Sequence, residues 1–300
     1  MKKRLALPKR KLSINPFTVI IFTILALYTA ALIAFLVWGL LTSLKDHFTD
    51  FRINKFGFPK TWEWENYITA FEKIVLEVKN ADGSTRNVYL AEMFLNSFAY
   101  SLGASIAQTV VTIVMAYLVA KFNNKISKVI YAVVIVTMVL PIVGSLPSEI
   151  NVAQTLGIFG SIPGIWLMRC SFLGLYFLVF YSMFKGISKD FDEAARIDGA
   201  SNWRIMTEVN FPLVKNTTIT VLLLSFIGYW NDYSIPMIYL PNNPTVVTGL
   251  YYYNLSTDAL TATVPMKLTG CMLVVIPILI LFIIFNDRVM GNITAGGIKE

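Results

Sequence analysis

Glu193, Ala194, Ala195, Asp198, Gly199, Ala200 and Pro212 lie in a polar stretch, residues 193–212, between two long apolar segments. Residue types of this kind suit recognition. The paired alanines leave a small, flat face for close approach, Glu193 offers a carboxylate, and Gly199 can take the left-handed conformation that ends a helix. Ser201 is placed to cap a second helix through Trp203, Ile205, Met206 and Val209, and Pro212 suits the first turn of the next apolar segment. The spacing predicts a helix, a reversal and a second helix. On composition alone such an elbow is either a solvated connector or a surface that meets another protein.

A second group can bind but has no means of breaking bonds. Tyr229, Trp230, Asn231, Asp232 and Tyr233 follow one another near the end of an apolar run, and Arg169 lies inside another. Aromatic faces beside amide and carboxylate groups match a sugar, which offers hydroxyls and flat C–H patches; an interfacial belt has the same composition. Polar groups within apolar spans are costly and are read first as functional. Arg169 and Asp232 are expected at similar depth, where they pair or jointly line a pathway, unless Arg169 snorkels to the surface. Ser101, Ser105, Gln108 and Thr109 suggest a polar stripe or helix–helix hydrogen bonding. His47, the only histidine, has no partners arranged for catalysis, and Cys170 and Cys271 read as small buried hydrophobes.

The elements that must position these groups are membrane spans. The chain has 300 residues, 56% hydrophobic and 14% charged, where soluble domains carry about 25% charged. Six apolar segments are long enough to cross a bilayer: 17–43, 94–120, 127–148, 162–184, 213–237 and 268–287. The first is too long for a signal peptide and no small-residue cleavage site follows it. Lysine and arginine number six in the N-terminal tail, three in 121–128 and five in 185–215, but none in 149–161 or 238–266. The positive-inside rule therefore places both termini and the 185–215 loop in the cytoplasm. The same asymmetry explains the net charge of +7 without any nucleic-acid partner. The expected organisation is a cytoplasmic tail (1–16), a first span (17–43), an extracytoplasmic segment (44–93), a core of five further spans (94–290) with its cytoplasmic loop at 185–212, and a cytoplasmic tail (291–300). Within the outer segment, a helical stretch over 65–78 precedes an Asp82-Gly83 turn. Pro141, Gly144 and Pro147, and Pro277 in the last span, mark kinks or unwound turns.

Glu-Ala-Ala, three residues, Gly, nine residues, Val-x-Phe-Pro resembles the cytoplasmic signature loop of ABC importer permeases. Glu193, Ala194, Ala195, Gly199 and Pro212 match it position for position, and Asp198 and Ala200 match the form frequent among sugar importers. Val209 and Phe211 stand where that family usually has Ile and Leu. Phe58-Pro59-Lys60 with Trp64-Glu65-Asn66-Tyr67, Asn96-Ser97, and Ile293-Thr294-Ala295-Gly296-Gly297-Ile298-Lys299 are similar to other parts of maltose-type permeases. The resemblance implies an all-α, six-span, type I importer permease in a bacterial or archaeal plasma membrane. It also implies a second homologous permease, an ABC ATPase dimer, an extracytoplasmic solute-binding protein and a carbohydrate cargo. Residues 193–199 would then be the coupling helix. No cofactor is expected in this chain, and ATP and Mg would belong to the ATPase: there is no Gly-x-x-x-x-Gly-Lys-Ser/Thr phosphate loop, and the dipeptide Gly-Lys does not occur. The chain is thus expected to be a transporter subunit and not an enzyme. Other readings of the same machinery are import of a non-sugar solute or, from a different class, an ion-coupled secondary transporter.

Overall fold

A computed structural model describes residues 15–79, 83–122, 124–140 and 144–295. The basic N-terminal tail, the turn residues Asn80 to Asp82, Pro141 and the last five residues lie outside the described residues.

The longest apolar runs form the longest helices. Helix α1 (Pro16–Ser43) starts on Pro16 with Asn15 as cap, and it is apolar on every side. Helix α3 (Leu90–Lys121) is the central element. Helix α14 (Val264–Ala295) packs along α1 and continues through Pro277 and past the expected end of its span. Among the described residues, these three helices are long and apolar enough to cross a membrane. A fourth span arises if the bent pair 202–213 and 215–231, which meet at 76°, is counted as one.

The remaining expected spans are built from shorter pieces. The 127–148 segment becomes α4 (Lys125–Val139) and, past Gly144 at φ 88°, α5 (Leu146–Thr155) with Pro147 in its first turn. The 162–184 segment splits into α6 (Ile162–Met168) and α7 (Leu175–Gly186). The break ends at Gly174, whose φ of 137° is closed to residues with a Cβ. The 213–237 segment is α11 (Lys215–Asn231) followed by α12 (Ser234–Tyr239), and α13 (Val246–Leu255) occupies what reads as a loop. Between α7 and α11 come α8 (Lys189–Ile197), α9 (Asn202–Arg204), a π-turn (Ile205–Asn210) and α10 (Phe211–Leu213).

The outer segment also corrects the all-α expectation. Helix α2 (Glu65–Lys73) ends before β1 (Val75–Lys79), which pairs antiparallel with β2 (Thr85–Tyr89). Valines 75, 78 and 88 favour the pleat over a longer helix, and Val78 and Val88 turn inward. They join Ala70, Ile74, Met93, Trp230 and Val246 in one buried cluster, which ties the hairpin to α3, α11 and α13. A second cluster around Tyr117, Phe177, Phe180 and Phe184 packs α3 against α7. The third surrounds Tyr100, Ile165 and Tyr239. In that third region Gly103 gives Trp166 room: an added Cβ would collide with the indole, whose Nε1 donates to Ala99 O at 3.1 Å. The hairpin stands at one end of α3 and the elbow at the other, about 48 Å apart at 1.5 Å per residue.

Candidate functional site: an exposed elbow and a polar cluster

The elbow begins with α8. Ser188 caps it by accepting the Asp190 N–H at 3.3 Å, and Asp190 and Asp192 in the first turn match the positive end of the helix dipole. The helix ends as the sequence predicts. Gly199 has φ 80°, its N–H donates to Arg196 O at 3.0 Å, and Ala200 N–H donates to Ala195 O at 2.9 Å. This paired closure satisfies two terminal carbonyls and turns the chain back. Ser201 accepts the Arg204 N–H at 3.3 Å and starts the return. The return departs from expectation, because a π-turn stands where a regular second helix is predicted. Pro212 lies in the short α10, one residue from the sharp bend into α11.

No residue of α8 is buried. Ile197 is 87% exposed, and Trp203 and Phe191 are also open. Among the described residues Glu193 has neither a hydrogen bond nor an ion pair. The exposed face therefore combines an unpaired carboxylate, small alanines and large apolar side chains.

The opposite face is anchored through Asp192, which sequence reasoning passes over. One carboxylate oxygen lies 2.9 Å from Lys121 Nζ at the end of α3; the other accepts from Asn210 Nδ2 at 2.7 Å. Lys121 also donates to Ile187 O at 3.4 Å, and Asn210 to Ile205 O at 3.2 Å. Asn210 is fully buried and the ion pair is mostly shielded. One aspartate thus joins α8 to the ends of α3 and of the π-turn that leads to α11. A cavity of about 520 Å³ opens beside this junction, with Lys121, Lys185, Asp192 and Glu193 on its wall.

A second polar cluster lies along the middle of α3, from Tyr100 to Gln108. Tyr229 donates to Gln108 Oε1 at 3.1 Å and meets Tyr100 edge to face at 5.7 Å. Tyr100 donates to Asp232 Oδ2 at 3.2 Å. The second oxygen of Asp232 accepts from Ser234 and Ile235 N–H groups and caps α12. Asp232 is thereby a helix cap in a chain break, which explains why the expected continuous span ends there. Arg169 lies in the other break, at the end of α6, close enough for its charge to act on both Tyr100 and Tyr229. A depth counted along an unbroken helix does not apply to it. Arg169 and Asp232 form no ion pair, and Arg169 Nε is buried without a hydrogen-bond partner among the described residues.

The structure therefore gathers Tyr229, Asp232 and Arg169 around Tyr100 and Gln108. It does not bring Trp230 to that group: its ring is buried between Phe94 and Phe226. Asn231 is exposed and returns its amide to Ile227 O, and Tyr233 stacks on Tyr251 at 5.2 Å. On the α3 stripe only Gln108 bonds to another helix. Ser105 donates back to Leu102 O, while the Ser101 and Thr109 hydroxyls are buried without partners. Asn96 and Ser97 fasten α3 to the approach to α13, through Pro244 O at 3.1 Å and Val246 N at 2.7 Å. Tyr100 carried no signal in the sequence because a tyrosine within an apolar run reads equally well as packing.

With this geometry in view, residues 108–295 match the family described as the binding-protein-dependent transport system inner membrane component. The chain belongs to that family. As a family member this permease is embedded in a membrane, and membership implies a solute-binding protein and an ABC ATPase as partners. The permease is 24% identical over 289 residues to the diacetylchitobiose uptake system permease protein NgcG of Streptomyces coelicolor, covering 93% of this chain and 88% of that one. It is 26% identical to the probable starch degradation products transport system permease protein AmyC of Thermoanaerobacterium thermosulfurigenes, covering 82% and 85%. Its fold is similar to a chain of a bacterial ABC transporter involved in the import of the acidic polysaccharide alginate. The TM-score is 0.73 at 20% identity, over 94% of this chain and 99% of that one.

Proposed function

We propose that this permease is one of two homologous membrane subunits of an importer that moves a carbohydrate, driven by ATP bound with Mg in a separate ATPase dimer. In this reading the chain crosses the plasma membrane six times, with the shorter helices and their breaks completing spans, and both termini face the cytoplasm. The hairpin end faces the binding protein. Relatives for diacetylchitobiose, starch degradation products and galactooligosaccharides support a carbohydrate cargo.

The observation that carries the coupling role is the two-sided character of α8. Its exposed face, with Glu193, Ala194 and Ile197, fits a groove on the ATPase. Its anchored face, through Asp192, ties it to the two core helices. Ala195, Asp198, Gly199 and Ala200 form the closure that sets its end, and Pro212 starts the bend into α11. Motion of the ATPase would carry α8, and Asp192 would hand that motion to α3 and α11 as a rigid-body switch. The cluster of Tyr229, Asp232 and Arg169 would offer a hydroxyl and charges to a sugar, held from behind by the buried Tyr100 and by Gln108. Asn231 stands at its exposed edge, and Trp230 supports the wall from behind.

Purification of the tagged permease from its native membrane tests the assembly. A phosphate-loop ATPase and a second permease should co-purify, and vesicles should take up labelled oligosaccharide only with ATP. A homo-oligomer with ATP-independent uptake would overturn the proposal.

A further inference from the structure

The segment that follows α1 does not simply rise away from the membrane. The last turn of α1 is locked in place: Ser43 O accepts from Asn66 Nδ2 and Thr269 Oγ1, each at 3.0 Å, and Leu44 O accepts from Glu63 N at 2.9 Å. Lys45 is buried with its Nζ on Asn54 O at 2.6 Å. That bond folds the chain back, and Lys55 O reaches Trp38 Nε1 at 2.9 Å. Trp38 lies five residues before the end of α1, so the segment descends about 7 Å along a helix whose surface is apolar all round.

The side chains displayed there are not those of a water-facing loop. Phe56 is 83% exposed, and Ile53 and Phe58 are each 73% exposed. Phe56 continues a row of rings from α1, with Trp38 at 6.3 Å and Phe35 beyond it at 5.6 Å. Arg52 and Lys55 flank these side chains, both exposed, with the Arg52 guanidinium over the Phe48 ring at 5.8 Å. Aromatic rings at the depth where a span leaves the hydrocarbon, edged by basic groups, are what a bilayer interface accommodates.

We infer that residues 53–58 form a membrane-seated foot, in which Ile53, Phe56 and Phe58 enter the lipid interface beside Trp38 while Arg52 and Lys55 meet lipid phosphates. The occupant is lipid because this surface continues the lipid-facing side of α1 without a step. The foot would fix the depth and tilt of α1 and hold the hairpin end at a set height above the membrane. The inference does not depend on which side of the membrane that end faces.

Site-specific fluorescence in the assembled importer tests it. Cys170→Ser and Cys271→Ser remove both native thiols; Phe56→Cys and, on the exposed hairpin, Lys79→Cys are then labelled separately with NBD and reconstituted in phosphatidylethanolamine–phosphatidylglycerol nanodiscs. Lipids carrying shallow nitroxides should quench the Phe56 probe about twofold and shift its emission to the blue, leaving the Lys79 probe unchanged. Ile53→Cys repeats the measurement with Phe56 intact and should give the same quenching. No quenching at positions 56 and 53 overturns the inference. So does protection that appears only when the binding protein is added, which would give the surface to that partner.

Discussion

Asp192 stands 2.9 Å from Lys121, and this contact joins the exposed α8 to the end of the longest buried helix in the core. The Lys121 and Asp192 side chains are 9% and 15% exposed, so the pair is shielded enough to count for more than a surface ion pair. Asn210 completes the junction from the π-turn.

Breaking that junction should uncouple the permease without unfolding it. Asp192→Asn and Lys121→Met should each cost about 1.5–3 kcal/mol at the elbow and lower ATP-dependent uptake while the ATPase still binds. A double-mutant cycle read by uptake and by protease protection of the 188–210 region should show strong coupling between the two positions. Simple additivity would falsify the transmission role of the pair.

At Gly199 the backbone alone sets the outcome. Nothing lies within 4 Å of an added Cβ, so Gly199→Ala meets only the cost of a positive φ, about 1–2 kcal/mol. Gly199→Asn tolerates that conformation better. Uptake should fall in the order glycine, asparagine, alanine, with aspartate lower still beside Asp198. Equal uptake by the alanine and asparagine variants would remove conformation as the cause.

Arg169 and Asp232 should not behave as a salt bridge. Since they are not in contact, the reciprocal exchange Arg169→Asp with Asp232→Arg should fail to restore what either single change removes. Asp232→Asn should keep the α12 cap, and Tyr100→Phe should lower sugar uptake with little loss of folded protein, because it keeps the packed ring and removes a hydroxyl that, among the described residues, bonds to Asp232. Recovery in the exchanged pair, measured by vesicle uptake, would contradict this arrangement.

Acid should loosen the turn after α1. The Asp46 carboxylate accepts from Thr49 N–H and Oγ–H and from Phe48 N–H, and these bonds hold its pKa below the ordinary carboxylate value. A lowered folded pKa means the stabilisation is fully present above about pH 4 and is lost as pH falls through the folded value. Asp46→Asn can still cap but does not titrate. Hydrogen exchange over 46–51 should rise in acid for the native chain and stay flat in the variant. Parallel acid profiles would reject this assignment.

How much was legible in advance follows from the range over which each signal acts. The membrane class, the two longest-running helices, the Gly199 reversal and the Ser201 cap were set by local composition, by apolar length and by backbone sterics, all of which act within a few residues. The family signature was legible for the same reason: it is a spacing within one segment. The breaks at Gly174 and Asp232, and the hairpin in place of a longer helix, were not legible. There apolar content stays high: Asp232 and Gly174 stop their helices by a local cap and a positive φ hidden within apolar runs, and the hairpin is fixed by a face buried against other helices. Asp192 reads as one more charge on a polar helix until α3 brings Lys121 beside it from 71 positions earlier in the chain. Trp230 and Asp232 lie two residues apart, yet one enters the hydrophobic cluster and the other meets Tyr100. The sequence by itself determined that this chain lives in a membrane and carries a polar elbow closed at Gly199. Only the tertiary structure decided which side chains anchor that elbow and which join the polar cluster at Tyr100, because burial and hydrogen-bond partners depend on residues that meet only when the helices pack.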